Sequence, residues 1–207
     1  MPFEITNFSI APHQKNNFVK PLHLHYSQDG NERSWEAVKS HDSVSVLLYH
    51  IEKKALLLVK QFRPPVYMNH KKHTCTYELC AGIVDKKASL KQITKEEINE
   101  ECGYDVPLEK IKRISSFFTN VGITGSKQHI FYAAINEAMR VHAGGGIKNE
   151  QIILEYIPLT EAKTFLFNED LAKTPGLMFA FYWFFEHYGI NDNINPPVDE
   201  RSLSNHQ

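Results

Sequence analysis

Glu96, Glu97, Glu100 and Glu101 fall within six consecutive positions of the segment AGIVDKKASLKQITKEEINEECGY, residues 81–104. On a helix, Glu97 and Glu101 are four apart and project from one face, with Glu100 one position over. Like charges at that spacing destabilise a bare helix by about 0.2–0.5 kcal/mol per pair. A hard divalent cation reverses that sign. Mg²⁺ takes oxygen ligands, keeps several waters, and uses one or two carboxylates together with substrate phosphate oxygens. Such a site can orient a water, polarise a phosphoryl group and neutralise a departing phosphate. The plainer reading is a solvated acidic face, the commoner fate of a charge run. Spacing alone leaves both open.

The element that must carry these side chains has clear ends. Ser89 is a good N-cap, and Gln92 three positions on completes a capping-box pattern. The helix is expected from about Leu90 to Cys102. Leu90, Ile93, Ile98 and Cys102 give it a buried stripe, and Gly103 stands where a left-handed terminal residue is wanted.

The elements before the helix read as strands. Residues 1–20 alternate apolar positions around Pro12, as an edge strand or a terminal arm would. PLHLHYSQ, residues 21–28, sets Leu22, Leu24 and Tyr26 on one face and His23 and His25 on the other, a half-buried strand. Asp29-Gly30-Asn31 signals a turn, and Arg33 to Lys39 returns as the second strand of a hairpin, with Trp35, Ala37 and Val38 packed. Val44–Tyr49 and Ala55–Val59 form another hairpin around HIEKK. The prolines of Gln61-Phe62-Arg63-Pro64-Pro65 predict a break with no helix, followed by a polar loop over 66–74 and a short strand over Thr76–Leu79.

After the acidic helix, strands are expected over Ile111–Phe118, Gln128–Ile135 and Ile152–Ile157, with a flexible loop at Gly144-Gly145-Gly146. Helices follow over Thr160–Phe167 and from Pro175 through Tyr188, the second rich in aromatics. The polar stretch 191–207 reads as a loose tail. The order predicts an α+β chain: an N-terminal β extension over 1–43, then one compact domain over 44–190.

Bulk properties narrow the function. The 207 residues are 42% hydrophobic and 23% charged, ordinary globular material, and the net charge is −1. That balance gives no basic surface for nucleic acid or an anionic membrane. No apolar run is long enough to span a bilayer. The N-terminus lacks the pattern of a signal peptide. Three cysteines, at 75, 80 and 102, show no metal-site spacing and suggest a reducing compartment. A cytoplasmic protein is expected.

The 81–104 segment resembles the box of the Nudix hydrolases. Gly82, Glu97, Ile98, Glu100, Glu101 and Gly103 fall in its register, while Ala88 and Glu96 stand where the pattern has Glu and Arg. In the family those two positions support the loop–helix–loop, and the later glutamates carry the metal. LHLHYSQDGNERSWE, LLLVKQFRPPVY, YELCAGIVD and VGITGSKQ are further similar to the uridine diphosphate glucose pyrophosphatases of this superfamily, which are relatives of its ADP-ribose pyrophosphatases. The similarity covers roughly residues 20–190.

The resemblance implies an α/β/α sandwich with a mixed sheet and hydrolysis of a nucleoside diphosphate sugar. UDP-glucose, giving UMP and glucose 1-phosphate, is the first expectation. ADP-ribose hydrolysis and a non-catalytic nucleotide-sugar binding protein are the alternatives. It also implies Mg²⁺, or Mn²⁺, held by the Ala81 carbonyl, Glu97 and Glu101, with Glu100 as a further ligand. Glu150, kept in Lys148-Asn149-Glu150 where ADP-ribose relatives have Glu-x-Glu, would act as catalytic base; the alternatives are a water activated by the metal and the box glutamates, or a slow enzyme. Arg63 would bind the substrate's phosphates or nucleotide, and Trp35 and Tyr26 of the extension would help cover the base and pack on a second subunit of a homodimer. Val121, where ADP-ribose enzymes tend to have proline, favours a UDP-sugar, with Thr124 and Gln128 beside it. Read without the family, Arg63 could be a surface arginine, Trp35 and Tyr26 plain packing aromatics, and Glu150 a solvated loop residue.

Overall fold

A computed structural model describes residues 3–11, 20–147 and 150–188. Strands β1 (Lys20–Gln28) and β2 (Asn31–Lys39) form an antiparallel ribbon that pairs with no other described strand. Among the described residues a second sheet holds seven strands: β3 (Ser43–His50), β4 (Ala55–Gln61), β5 (Thr76–Glu78), β6 (Cys80–Ile83), β7 (Lys112–Thr119), β8 (Ser126–Ile135) and β9 (Ile153–Pro158). The main order is β5-β4-β3-β8-β7, with β6 on β3 and β9 on β4. The β3–β8 pair is parallel and the other pairs antiparallel, so the sheet is mixed.

Alternation along β3 sorts its side chains between two cores. Val44, Val46 and Leu48 pack with Ile93, Ile98 and Cys102 of the acidic helix. Leu47 and Tyr49 pack with Phe165 of α3 (Leu159–Phe167) and Phe181 and Phe184 of α4 (Pro175–Tyr188). The expected α+β architecture, a sheet between helical layers, is therefore what the chain adopts.

Several local expectations need correction. Pro64 and Pro65 open a short helix, α1 (Pro64–Asn69), instead of excluding one. They occupy its first positions, where the missing N–H has no intrahelical role. The acidic helix is α-helical only over α2 (Leu90–Glu97) and then widens into a π turn over Ile98–Cys102. The β1–β2 hairpin exists as expected, but it is exposed and not half-buried: Leu22 and Leu24 are each 43% exposed and Trp35 is 53% exposed. Alternation marks a face suited to burial and cannot say what covers it. Residues 3–11 form no strand; there Phe8 packs edge-on against Tyr67 of α1. Pro12, Lys148 and the 191–207 segment lie outside the described residues.

Candidate active site

The acidic helix is fixed to the sheet by its own carboxylates. Ser89 accepts the Gln92 N–H at its N-terminus, as the cap pattern predicts. The Gln92 side chain does not return to the cap; its Nε2 donates to Glu96 Oε1 at 2.9 Å. Glu96 also takes an ion pair from Lys86 in the preceding loop. Where the family's box has Arg, this chain thus ties loop to helix with a cation on the loop and an anion on the helix. Gly103 closes the helix with φ of 78°.

Glu97 lies directly over Gly82 of β6. A Cβ at Gly82 would meet the Glu97 carboxylate at 2.1 Å, so only glycine leaves room for it. Glu101 reaches the same strand, its Oε2 accepting the Ala81 N–H at 3.0 Å. Burial raises the Glu97 carboxyl to about 7, with the neighbouring Glu100 charge adding to it and Lys86 opposing. Burial raises Glu101 to about 8, against the stabilising Ala81 bond. Glu150 adds to both.

Glu150 arrives on the triple-glycine loop, which is docked and not loose. The Gly145 and Gly146 N–H groups donate to the Glu101 and Glu100 carbonyls, at 2.8 and 3.2 Å, satisfying the end of the acidic helix. Gly144 and Gly146 both have positive φ, and a Cβ on either would collide, with the Glu101 carbonyl and with Glu150 itself. The Glu150 carboxylate accepts the Ile147 N–H at 2.9 Å.

Arg63, the N-cap of α1, is a second cation of this neighbourhood beside Lys86. Its guanidinium is held charged chiefly by Glu78, and Glu101 and Glu150 act on it in the same sense. Ala81, Glu97, Glu100, Glu101, Glu150 and Arg63 therefore share one end of the sheet. Glu78 and Lys86 were missed in the sequence. Their signals were an acidic residue two positions from Thr76 on a short strand, and a lysine in the loop before an acidic helix.

The remaining expected residues gather elsewhere. Trp35 donates its indole N–H to the Gly122 carbonyl at 2.8 Å, and the Val38 N–H bonds Ile123 O at 2.9 Å. The ribbon is thereby anchored on the β7–β8 turn, which holds an exposed Val121 and Thr124, whose hydroxyl meets that of Ser126. Tyr26 pairs with Arg33 near the ribbon's tip and is exposed. Gln128 joins neither group: it donates to Ser45 Oγ at 2.9 Å and lies under Gly176 of α4, on the face opposite α2.

Among the described residues no three His, Cys, Asp or Glu side chains converge as a closed metal cage. The arrangement still fits Mg²⁺, which needs only one or two protein carboxylates beside water and phosphate oxygens. Glu96, Glu100 and Glu150 face Glu97 and Glu101 against the cations Lys86 and Arg63, a carboxylate excess that a bound divalent cation would offset.

No family model matches the chain. Two curated relatives are uridine diphosphate glucose pyrophosphatases, from Bos taurus and Mus musculus. Each is 37% identical over 196 residues, covering 81% of this chain and 88% of the relative. A GDP-mannose pyrophosphatase of Cronobacter sakazakii is 34% identical over 121 residues, 58% of this chain and 62% of its own. Among solved structures, that of an ADP compounds hydrolase superposes with a TM-score of 0.66 at 14% identity, covering 87% of this chain and 92% of the other, a likeness of fold. With the box glutamates seated on the sheet and relatives of this identity along most of its length, the chain belongs to the Nudix hydrolase family.

Proposed function

We propose that the protein is a Mg²⁺-dependent nucleotide-sugar diphosphatase that hydrolyses UDP-glucose to UMP and glucose 1-phosphate. The observation that carries this reading is the pair of buried carboxylates, Glu97 and Glu101, set against Gly82 and Ala81 with Arg63 and Glu150 alongside. The names of the two uridine diphosphate glucose pyrophosphatase relatives support the choice of substrate. Mg²⁺, or Mn²⁺ in its place, would be held by Glu97, Glu101 and the Ala81 carbonyl, with Glu100 nearby, and would supply Lewis-acid polarisation of the phosphoryl oxygens. Arg63 binds non-bridging diphosphate oxygens through guanidinium N–H groups. Glu150 accepts a proton from the water that attacks one phosphorus in line; the bond from that phosphorus to the bridging oxygen breaks, and the other phosphate leaves with that oxygen as the second monophosphate product. Trp35 and Tyr26 supply apolar faces for the base, and the Val121 turn borders that side.

The same reading includes a homodimer. An isolated two-stranded ribbon is marginal in water, and β1–β2 exposes Leu22, Leu24, Tyr26 and Trp35. Beside it lies a groove of about 540 Å³ lined by Pro21, Leu22, Ala37, Val38 and Ile123 among others. A second copy is the natural cover for this apolar surface. The reading also places the protein in the cytoplasm, in keeping with free thiols at Cys75, Cys80 and Cys102; among the described residues no helix is long and apolar enough to cross a membrane.

The test is release of nucleoside monophosphate from UDP-glucose, GDP-mannose and ADP-ribose, with and without Mg²⁺. UDP-glucose should give the highest kcat/KM, only with the metal. Glu97→Gln and Glu101→Gln should each lower kcat by about 100-fold or more, the scale of losing an electrostatic stabiliser. Faster turnover of ADP-ribose would reassign the substrate. Calorimetric binding without turnover of any of the three would make this a binding protein.

A further inference from the structure

The direction in which Arg63 points is set by one carboxylate. Its Nε–H donates to Glu78 Oε1 and its Nη2–H to Glu78 Oε2, both at 2.8 Å. This is a two-pronged, charge-assisted contact that fixes the plane of the guanidinium as well as its position. Glu78 is seated in turn. It lies on β5 opposite Val59 of β4 and is only 8% exposed. Its Oε1 accepts the Thr76 hydroxyl at 2.5 Å, and that hydroxyl also lies 3.3 Å from the Gln61 carbonyl. Two strands thus brace one carboxylate, and the carboxylate braces Arg63.

A guanidinium has five N–H donors. The contact with Glu78 uses one edge, Nε and Nη2, and turns Nη1 the other way. Glu101 and Glu150 act electrostatically on the same guanidinium, so it stands beside the carboxylate group. A lysine at position 63 would supply the charge without the plane.

We infer that Glu78, braced by Thr76, is a positioning residue that holds the Arg63 guanidinium so that its Nη1 edge meets the substrate's diphosphate. This rests on the reading above in which Arg63 binds phosphate. Glu78 touches no substrate and acts only through Arg63.

Steady-state kinetics on UDP-glucose test it with Glu78→Gln, Arg63→Ala and the double variant. Glu78→Gln should raise KM by about tenfold, the scale on which outer partners of a site act, with kcat within about twofold, the signature of lost uniform binding. The double variant should be no worse than Arg63→Ala alone, because Glu78 has nothing left to position. Thr76→Val, a milder change, should raise KM in the same direction, and it carries the test if Glu78→Gln fails to fold. A parent-like KM in both Glu78→Gln and Thr76→Val, or additive losses in the double variant, overturns the positioning role while leaving the site reading intact. A parent-like KM in Arg63→Ala overturns both, since Arg63 then does not meet the substrate.

Discussion

Gly82 shows how a residue with no side chain can set the position of one that has chemistry. Its Cα is the floor on which the Glu97 carboxylate lies. The collision in Gly82→Ala would be with the far end of a flexible glutamate, which can swing aside at small cost. The protein should therefore keep a thermal midpoint near the parent's while Mg²⁺ affinity and kcat/KM fall about 10–100-fold, the range seen when ligand orientation is lost. Calorimetric melting with Mg²⁺ titration checks this. A variant with parental metal affinity would show that Glu97 need not occupy this spot. The glutamates at 97, 100 and 101 could be singled out in the sequence because charge and register mark them, and Glu150 only because its position matches the family resemblance. Glu78 could not, because its role depends on Arg63, fifteen residues back in the chain and brought alongside by the β4–β5 pairing. Gln128 illustrates the converse. Its place close to Val121 in sequence suggested a shared pocket, but strand alternation turns its side chain toward α4.

At the level of elements, the acidic helix keeps its loop by an ion pair of reversed polarity. Lys86 and Glu96, with Gln92 beside them, connect the 84–89 loop to α2. Both partners are partly exposed, so the pair contributes less than about 1 kcal/mol, yet it ties the loop that follows β6 to the helix that carries Glu97 and Glu101. Glu96→Arg should bring two cations together and lower the thermal midpoint and kcat/KM; Lys86→Glu combined with Glu96→Arg should recover most of the loss. A double-mutant cycle measures the coupling, and strictly additive effects would mean that the pair holds nothing. The start of this helix was legible because a cap is a local interaction, with Ser89 and Gln92 three positions apart. Its π-turn ending was not, because the glycine loop that bonds the Glu100 and Glu101 carbonyls arrives over forty residues later. For the same reason Gly144-Gly145-Gly146 read as flexible: glycine permits both freedom and close approach, and only the neighbouring backbone decides which. The α1 helix was hidden by a rule applied one turn too far, since prolines that break a helix interior suit its first turn.

For the whole molecule, two behaviours follow from what the single chain leaves uncovered. If the β1–β2 ribbon is the dimer surface, Leu24→Glu with Trp35→Glu should convert the protein to monomer in sedimentation equilibrium, with the seven-stranded domain still folded by circular dichroism. A parental sedimentation profile would show that the apolar ribbon serves something else. The carboxylate excess predicts that the native state gains more from a divalent cation than the unfolded chain does. Mg²⁺ at 100 times its dissociation constant should stabilise the fold by about 2.7 kcal/mol, seen as a higher thermal midpoint. Glu97→Gln should remove most of that increment. A midpoint indifferent to Mg²⁺ would count against a metal at this site.

The parallel pairing of β3 with β8 also imposes an order on the molecule's assembly. The strands are neighbours along eight registered pairs, yet they lie about 85 residues apart in the chain. Hairpins such as β1–β2 can close early, because their loops are short. The centre of the sheet cannot close until the chain through Ile135 is available, and non-local pairings of this kind fold slowly. Until then β3 presents a bare edge of Val44, Val46, Leu47 and Leu48, all later buried. The interval between making β3 and making β8 is thus when a nascent or truncated chain is most open to aggregation, and the floor under the acidic helix is secured only when that interval ends.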